Sequence, residues 1–267
     1  MHKDEISIIY SDSDIIVINK PSGFSVTKDR SGEPELMFTL AAQLGANKGE
    51  LLLVHRLDKD TSGVMILARN TAAQRTFSEY FSKNQVKKTY LALVRGGGTQ
   101  DSGTIDAPIG PDKRDDRFMR IDHSKNGKNA VTNWQILADF GAAALVAVRP
   151  LTGRTHQIRV HMPAAGMPLV VDPLYGSGEG LMLSEFKHNY RLGKFQEEKP
   201  LIERLTLHAY QIEIPQPQPE SRPQVFVAGL DKKFAAAVKM LTKHNPRHDE
   251  AFKDPSVFEK IINAQTI

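Results

Sequence analysis

Two carboxylates, Asp58 and Asp60, lie in a run of charges and hydroxyls, His55-Arg56-Leu57-Asp58-Lys59-Asp60-Thr61-Ser62-Gly63, between the apolar stretches 51–54 and 64–68. A carboxylate beside an apolar wall can act as nucleophile, general acid, general base or metal ligand. Asp60, Thr61 and Ser62 read more simply as turn formers, because these residue types bond their own backbone where a chain bends. Spacing alone leaves Asp58 open between the two readings. A second concentration of polar chemistry runs from 149 to 161, with three Arg, two His and no acid. Charge alone makes that a solvated face. His156 and His161 are five apart, which fits neither one face of a helix nor one face of a strand, so a zinc pair is discounted. Gly176-Ser177-Gly178-Glu179-Gly180 follows no apolar strand and is no dinucleotide fingerprint.

Periodicity marks the elements that must position these groups. Residues 6–10 and 15–19 are β-branched runs around Ser11-Asp12-Ser13-Asp14 and predict a hairpin. Leu36, Leu40 and Leu44 repeat at helical spacing before Gly45, a helix stop. Ala73, Phe77, Tyr80 and Phe81 mark a second helix. Strands are expected at 89–94, ending at Gly96-Gly97-Gly98, and at 131–137 and 143–148. Segment 107–130, charged and aperiodic, predicts an exposed hairpin or loop suited to substrate contact. Thr155 can cap a helix with Ile158, Met162 and Ala165 on one face, and Gly166 and Pro168 stop it. Pro163 has no N–H for the carbonyl of Arg159 and predicts a bend, or a helix ending near Met162. The prolines of 215–224 predict a turn or linker. Asp231 should cap a helix bearing Phe234, Val238 and Leu241. Asp254-Pro255 should start a last one through Val257, Phe258, Ile261 and Ile262. Strands dominate without strict βαβ alternation, so the expected class is α+β with a mixed, mostly antiparallel sheet.

The chain has 267 residues, enough for one large domain or two joined subdomains. It has no cysteine, which excludes disulfides, thiolate zinc sites and thiol catalysis and fits a reducing compartment. The start, MHKDEISIIY, lacks the apolar core of a secretory signal, and no apolar run approaches the ~18 residues of a membrane span. A cytoplasmic protein without membrane contact is expected. A formal charge of +4 favours a polyanionic partner only mildly.

Asp58-Lys59-Asp60 is loosely similar to the Asp-x-Asp of haloacid-dehalogenase phosphatases. His55-Arg56 interrupts that strand, however, Thr61 comes one place too early, and the distant pair Asp115-Asp116 lies in an aperiodic segment. The wider string, His55-Arg56-Leu57-Asp58 followed by Thr61-Ser62-Gly63, resembles the signature of the RluA family of RNA pseudouridine synthases. Further matches follow in family order. Asn19-Lys20-Pro21-Ser22-Gly23 with Val26 resembles the Lys-Pro-x-Gly segment, and Lys88-Thr89-Tyr90 the Lys-x-Tyr strand. The run 152–161 resembles the Gly-Arg-Thr-His-Gln-x-Arg motif. Asp172-Pro173-Leu174-Tyr175-Gly176 and Leu207-His208-Ala209 match two later segments. The resemblance spans about 6–243, leaving 244–267 as a C-terminal helical extension.

The resemblance implies a sheet in two halves with a central catalytic cleft, and an enzyme that isomerises uridines of ribosomal or transfer RNA. Asp58 is then the nucleophile, attacking either the ribose anomeric carbon or the ring. Arg159 is its partner, since a planar guanidinium holds a carboxylate through two bonds and favours its ionised form. Tyr90 receives the flipped base and Arg56 fills the space it vacates. The other basic motif residues, Lys20, His55, Lys88, Arg154 and His156, are expected to contact RNA. No cofactor or metal is implied, and a monomer is expected. Val171 stands where the family usually has Gly before Asp172, and 107–130 matches no family string. With the Lys-Pro-x-Gly segment near residue 20, no small RNA-binding domain is expected ahead of the catalytic core.

Overall fold

The computed structural model describes residues 5–26, 35–96, 100–115, 117–176, 178–193, 196–216, 221–245 and 251–267. Gly97, Gly98, Asp116, Ser177 and the prolines at 217 and 219 lie outside the described residues. In chain order the elements are β1 (Ser7–Ser11), β2 (Ile15–Lys20), α1 (Leu36–Leu44), β3 (Leu52–Leu53), β4 (Ser62–Ala68), α2 (Thr71–Ser82) and β5 (Lys87–Arg95). Next come β6 (Ser102–Asp106), β7 (Ile109–Pro111), β8 (Met119–Ile121), β9 (Val131–Asp139), β10 (Ala143–Pro150) and α3 (Gln157–Ala164). The last are β11 (Leu207–Ile214), β12 (Gln224–Val227), α4 (Lys232–His244) and α5 (Pro255–Ile262). No helix among the described residues is long and apolar enough to cross a membrane.

The chain forms two compact units, Met1–Thr89 with His208–Gly229 and Ala264–Thr266, and Tyr90–Leu207 with Leu230–Asn263 and Ile267. In the first, β4 is central. It pairs antiparallel with β2 and β3, and parallel with β11 where Ser62 and Gly63 meet His208 and Ala209. Every residue of β4 is buried, which explains its unbroken apolar reading from Val64 to Ala68. Gly63 is required there: its φ is +116°, and a Cβ would sit 2.1 Å from the carbonyl oxygen of Ala209. The β1–β2 hairpin forms as expected, and α1 ends at Gly45 in the left-handed conformation. Asn70 caps α2 by accepting the N–H of Ala73 at 2.8 Å. The Tyr210 hydroxyl donates to the carbonyl of Gln265, tying the returning tail to β11.

The second unit is antiparallel throughout its main sheet: β5 pairs β10, β10 pairs β9 and β9 pairs β6. Val94, Val146, Val148, Ile158, Met162 and Leu169 share its core. The segment 107–130 is a hairpin, as expected, but not wholly exposed: Ile109 and Ala130 are buried with Val160 of α3. Asp231 and Asp254 cap α4 and α5, each accepting backbone N–H groups of the first turn. Phe252 packs against Phe140 and Phe258, with ring centroids 6.0 and 5.3 Å away, which seats α5 on this unit.

One expectation about α3 needs correction. Thr155 is not its cap; His156 takes that position in the left-handed conformation, φ +53°, and makes no capping bond through its side chain. The helix ends two residues past Met162, close to the expected stop. It continues through Pro163 to Ala164, and the N–H of Ala165 bonds the carbonyls of His161 and Met162, both at 3.1 Å. Pro163 falls in the last turn, so the one bond it removes, to the carbonyl of Arg159, lies at the end of the helix.

Candidate active site

The first unit carries Lys20, His55, Arg56, Asp58 and Lys88; the second carries Tyr90, Arg154, His156 and Arg159. Asp58 lies, half-buried, in the irregular stretch between β3 and β4, and its carbonyl accepts the N–H of Thr61 at 3.2 Å. Residues 58–61 therefore do form a turn, closed through the backbone of Asp58.

What holds this turn is the segment after β2. The Lys20 ammonium donates to the carbonyls of Pro21 (3.0 Å), Lys59 (2.8 Å) and Thr61 (2.9 Å). Ser22 Oγ donates to the carbonyl of Asp60 at 2.6 Å, and the N–H of Gly23 to that of Lys59 at 3.0 Å. All three carbonyls after Asp58 are thus held by Lys20, Ser22 and Gly23. Lys20, expected to contact RNA, is placed inside the fold. Its side chain is fully buried, and its ammonium bonds backbone carbonyl oxygens. Lys20→Met keeps the volume and removes the donors. We expect it to destabilise the protein by about 2 kcal/mol in urea unfolding, the cost of orphaned carbonyls after discounting the buried charge. An unchanged midpoint would remove the clamp.

At the other end of the turn, the N–H of Ile66 in β4 donates to His55 Nε2 at 3.0 Å. The imidazole stacks on Phe81 of α2, centroids 4.1 Å apart and planes at 17°. His55, expected to contact RNA, is thus engaged by its own unit. Burial holds its pKa down at about 3, with the charge of Lys88 adding to the effect, and burial lowers Lys88 in turn. Arg56 beside it is exposed. Below the turn, Ser62 Oγ lies 2.9 Å from His208 Nδ1, while His208 Nε2 lies 2.9 Å from the carbonyl of Ala228. A carbonyl only accepts, so Nε2 carries the proton and Ser62 donates to Nδ1.

In the second unit Arg159 is fully buried in α3 and forms a two-bond pair with Asp172: Nε to Oδ2 at 2.9 Å and Nη2 to Oδ1 at 2.6 Å. Asp172 Oδ1 also accepts the N–H groups of Leu174 (2.9 Å) and Tyr175 (3.1 Å). The Tyr175 ring lies under the guanidinium, 5.2 Å from its carbon. The Tyr175 hydroxyl accepts the N–H of Met119 at 2.7 Å and lies 2.8 Å from His156 Nδ1. The sequence shows Asp172 and Tyr175 only as a motif; the signal for their role is an Asp followed by Pro, whose carboxylate can accept the next two backbone N–H groups. Val171 in place of Gly leaves the turn intact, with the N–H of Gly176 on the carbonyl of Asp172 at 3.0 Å.

Gln157 and His161 organise the approach to α3. Gln157 Oε1 accepts from Thr152 Oγ1 (2.8 Å) and the N–H of Arg154 (3.0 Å), and its amide donates to Thr132 Oγ1 at 2.9 Å. Buried His161 bonds Thr132 through Nδ1 and the carbonyl of Ala107 through Nε2, both 2.9 Å. Tyr90, on β5 opposite Val148, lies half-buried at the margin of the core. Arg154 is exposed and borders a groove of about 200 Å³ with Met119, Asn126, Lys128 and Thr155.

Burial also lowers the pKa of His161. A lowered folded-state value means the unfolded chain binds the proton first. The stability carried by neutral His55 and His161 is complete above the ordinary value of 6.5 and is lost as pH falls from there toward the value of about 3 at His55. Carboxylates with depressed values lose their contribution only below about pH 4.5. We expect the urea midpoint to decline already between about pH 6.5 and 5, in the histidine range; a flat midpoint there would contradict the neutral assignments.

A family described as RNA pseudouridylate synthase matches residues 14–164. The chain is 39% identical over 228 residues to an uncharacterized RNA pseudouridine synthase of Zymomonas mobilis, covering 85% of this chain and 94% of that one. It is 35% identical over 212 residues to ribosomal large subunit pseudouridine synthase D of Borreliella burgdorferi, covering 74% of this chain and 65% of that one. Against ribosomal large subunit pseudouridine synthase C of Escherichia coli the identity is 40% over 177 residues, and the match spans 54% of that protein. Among solved structures, human RNA pseudouridylate synthase domain containing 4 superposes with a TM-score of 0.66 at 29% identity, covering 88% of this chain and 92% of that one.

Proposed function

The chain belongs to the RluA family of RNA pseudouridine synthases, and from that premise we propose that it isomerises specific uridines in ribosomal or transfer RNA, with Asp58 as nucleophile on a flipped base. The isomerisation conserves atoms. The bond between the ribose anomeric carbon and ring N1 breaks, a bond from that carbon to C5 forms, the C5 proton leaves and N1 gains one.

One observation carries the reading: the carboxylate of the family signature sits in a turn whose three following carbonyls are all held from outside it. Such fixing suits a nucleophile, because placing reacting atoms in advance removes entropy from the barrier. Arg159 is the second component, its plane set by Asp172 and Tyr175 before any substrate arrives. Tyr90 offers the flipped base an aromatic face, which returns about 1–3 kcal/mol of the unstacking cost. Exposed Arg56 fills the vacated stack. Arg154 and Lys128, at the groove of the second unit, contact RNA phosphates.

Two relatives are named for the large ribosomal subunit, so ribosomal RNA is the first substrate to test and transfer RNA the second. Pseudouridine mapping of total RNA from cells with and without the protein decides. Loss of discrete pseudouridines in either class is the expected result. An unchanged map, together with binding of the same RNA, would make the protein an RNA-binding factor without turnover.

A further inference from the structure

We infer that His55 is a positioning residue for Asp58, its imidazole serving as a fixed acceptor in place of the strand carbonyl that β4 loses where β3 leaves it. The inference rests on the reading of Asp58 as nucleophile. β3 pairs with β4 only through Leu52–Ala68 and Leu53–Leu67. Beyond Leu53 the chain turns away toward Asp58. The N–H of Ile66 would then face no backbone partner from that strand, and His55 Nε2 receives it at 3.0 Å. A side chain thus prolongs the ladder while the backbone departs from it.

The ring is held on two sides. β4 meets it with the backbone of Ile66 and α2 with Phe81, and neither group titrates. Lys88 on β5 is the charged group acting on it. Protonating Nε2 would erase the acceptor, and both burial and the Lys88 charge oppose that. Asp58 follows three residues later, and Lys20 takes hold one residue after it. The carboxylate is therefore suspended between two anchors, each made by a side chain whose polar atoms bond the backbone. A misplacement of about 1 Å at a reacting group costs about 100-fold in rate.

The test uses the full chain with ¹⁵N-labelled histidine, and the variants His55→Gln and His55→Phe. In the wild type, His55 should show an unprotonated Nε2 and no titration from pH 5 to 8, a readout independent of activity. His55→Phe keeps the stacking and removes the acceptor; kcat should fall about 10- to 100-fold with KM for RNA unchanged. His55→Gln places an oxygen near the lost nitrogen and should recover most of that loss. Three results would overturn the inference: a His55 that titrates near the ordinary value, a raised KM with kcat intact, or a Gln variant as slow as the Phe variant. An inactive wild type would instead remove the reading of Asp58, and the titration would still decide whether His55 is an anchor.

Discussion

Asp58→Asn should abolish tritium release from RNA labelled at C5 of uridine, by at least about three orders of magnitude in kcat, because an amide cannot serve as the nucleophile. The substitution is nearly isosteric. The backbone of the turn is held through the carbonyls of Lys59, Asp60 and Thr61, none of which depends on the Asp58 side chain. The variant should therefore fold and bind RNA, and stable binding of unmodified RNA is the accompanying expectation. Activity within tenfold of wild type would overturn the assignment of Asp58 and with it the proposed mechanism.

Asp172→Ala should be the most destabilising single change in the second unit. It takes the carboxylate out of the two-bond pair with the buried Arg159 guanidinium, 2% exposed, and it removes the acceptor of the Leu174 and Tyr175 N–H groups. Breaking a buried pair from one side costs about 3–5 kcal/mol, since the remaining charge keeps its desolvation penalty. Urea unfolding measures this. The double variant Arg159→Met with Asp172→Leu removes both charges together and should recover much of the loss, as apolar replacements of buried pairs often do. It should nevertheless remain inactive if Arg159 takes part in the reaction. A stable, active double variant would reduce Arg159 to a structural residue, whereas a stable, inactive one separates its two roles.

The sequence by itself determined those features whose causes reach only a few residues. Gly45 as a helix stop, Asp231 and Asp254 as caps, and the β1–β2 hairpin all form as read, because cap and turn bonds close within two to four positions. The ordered motifs likewise placed the chain in its family, since they are a property of the string. Tertiary structure decided the rest. Nothing local marks the parallel pairing of β4 with β11, whose partners lie far apart in the chain, and β6 and β12 carry little periodicity of their own. The basic motif residues show the reason most clearly. A lysine ammonium can donate to a phosphate or to a backbone carbonyl, a histidine nitrogen can donate to a phosphate or accept from a backbone amide, and spacing does not say which. Lys20 bonds a carbonyl 41 residues on, His55 an amide 11 residues on, and Arg159 a carboxylate 13 residues on. Each destination was fixed by which buried group lacked a partner once the chain had folded, and only packing creates that demand.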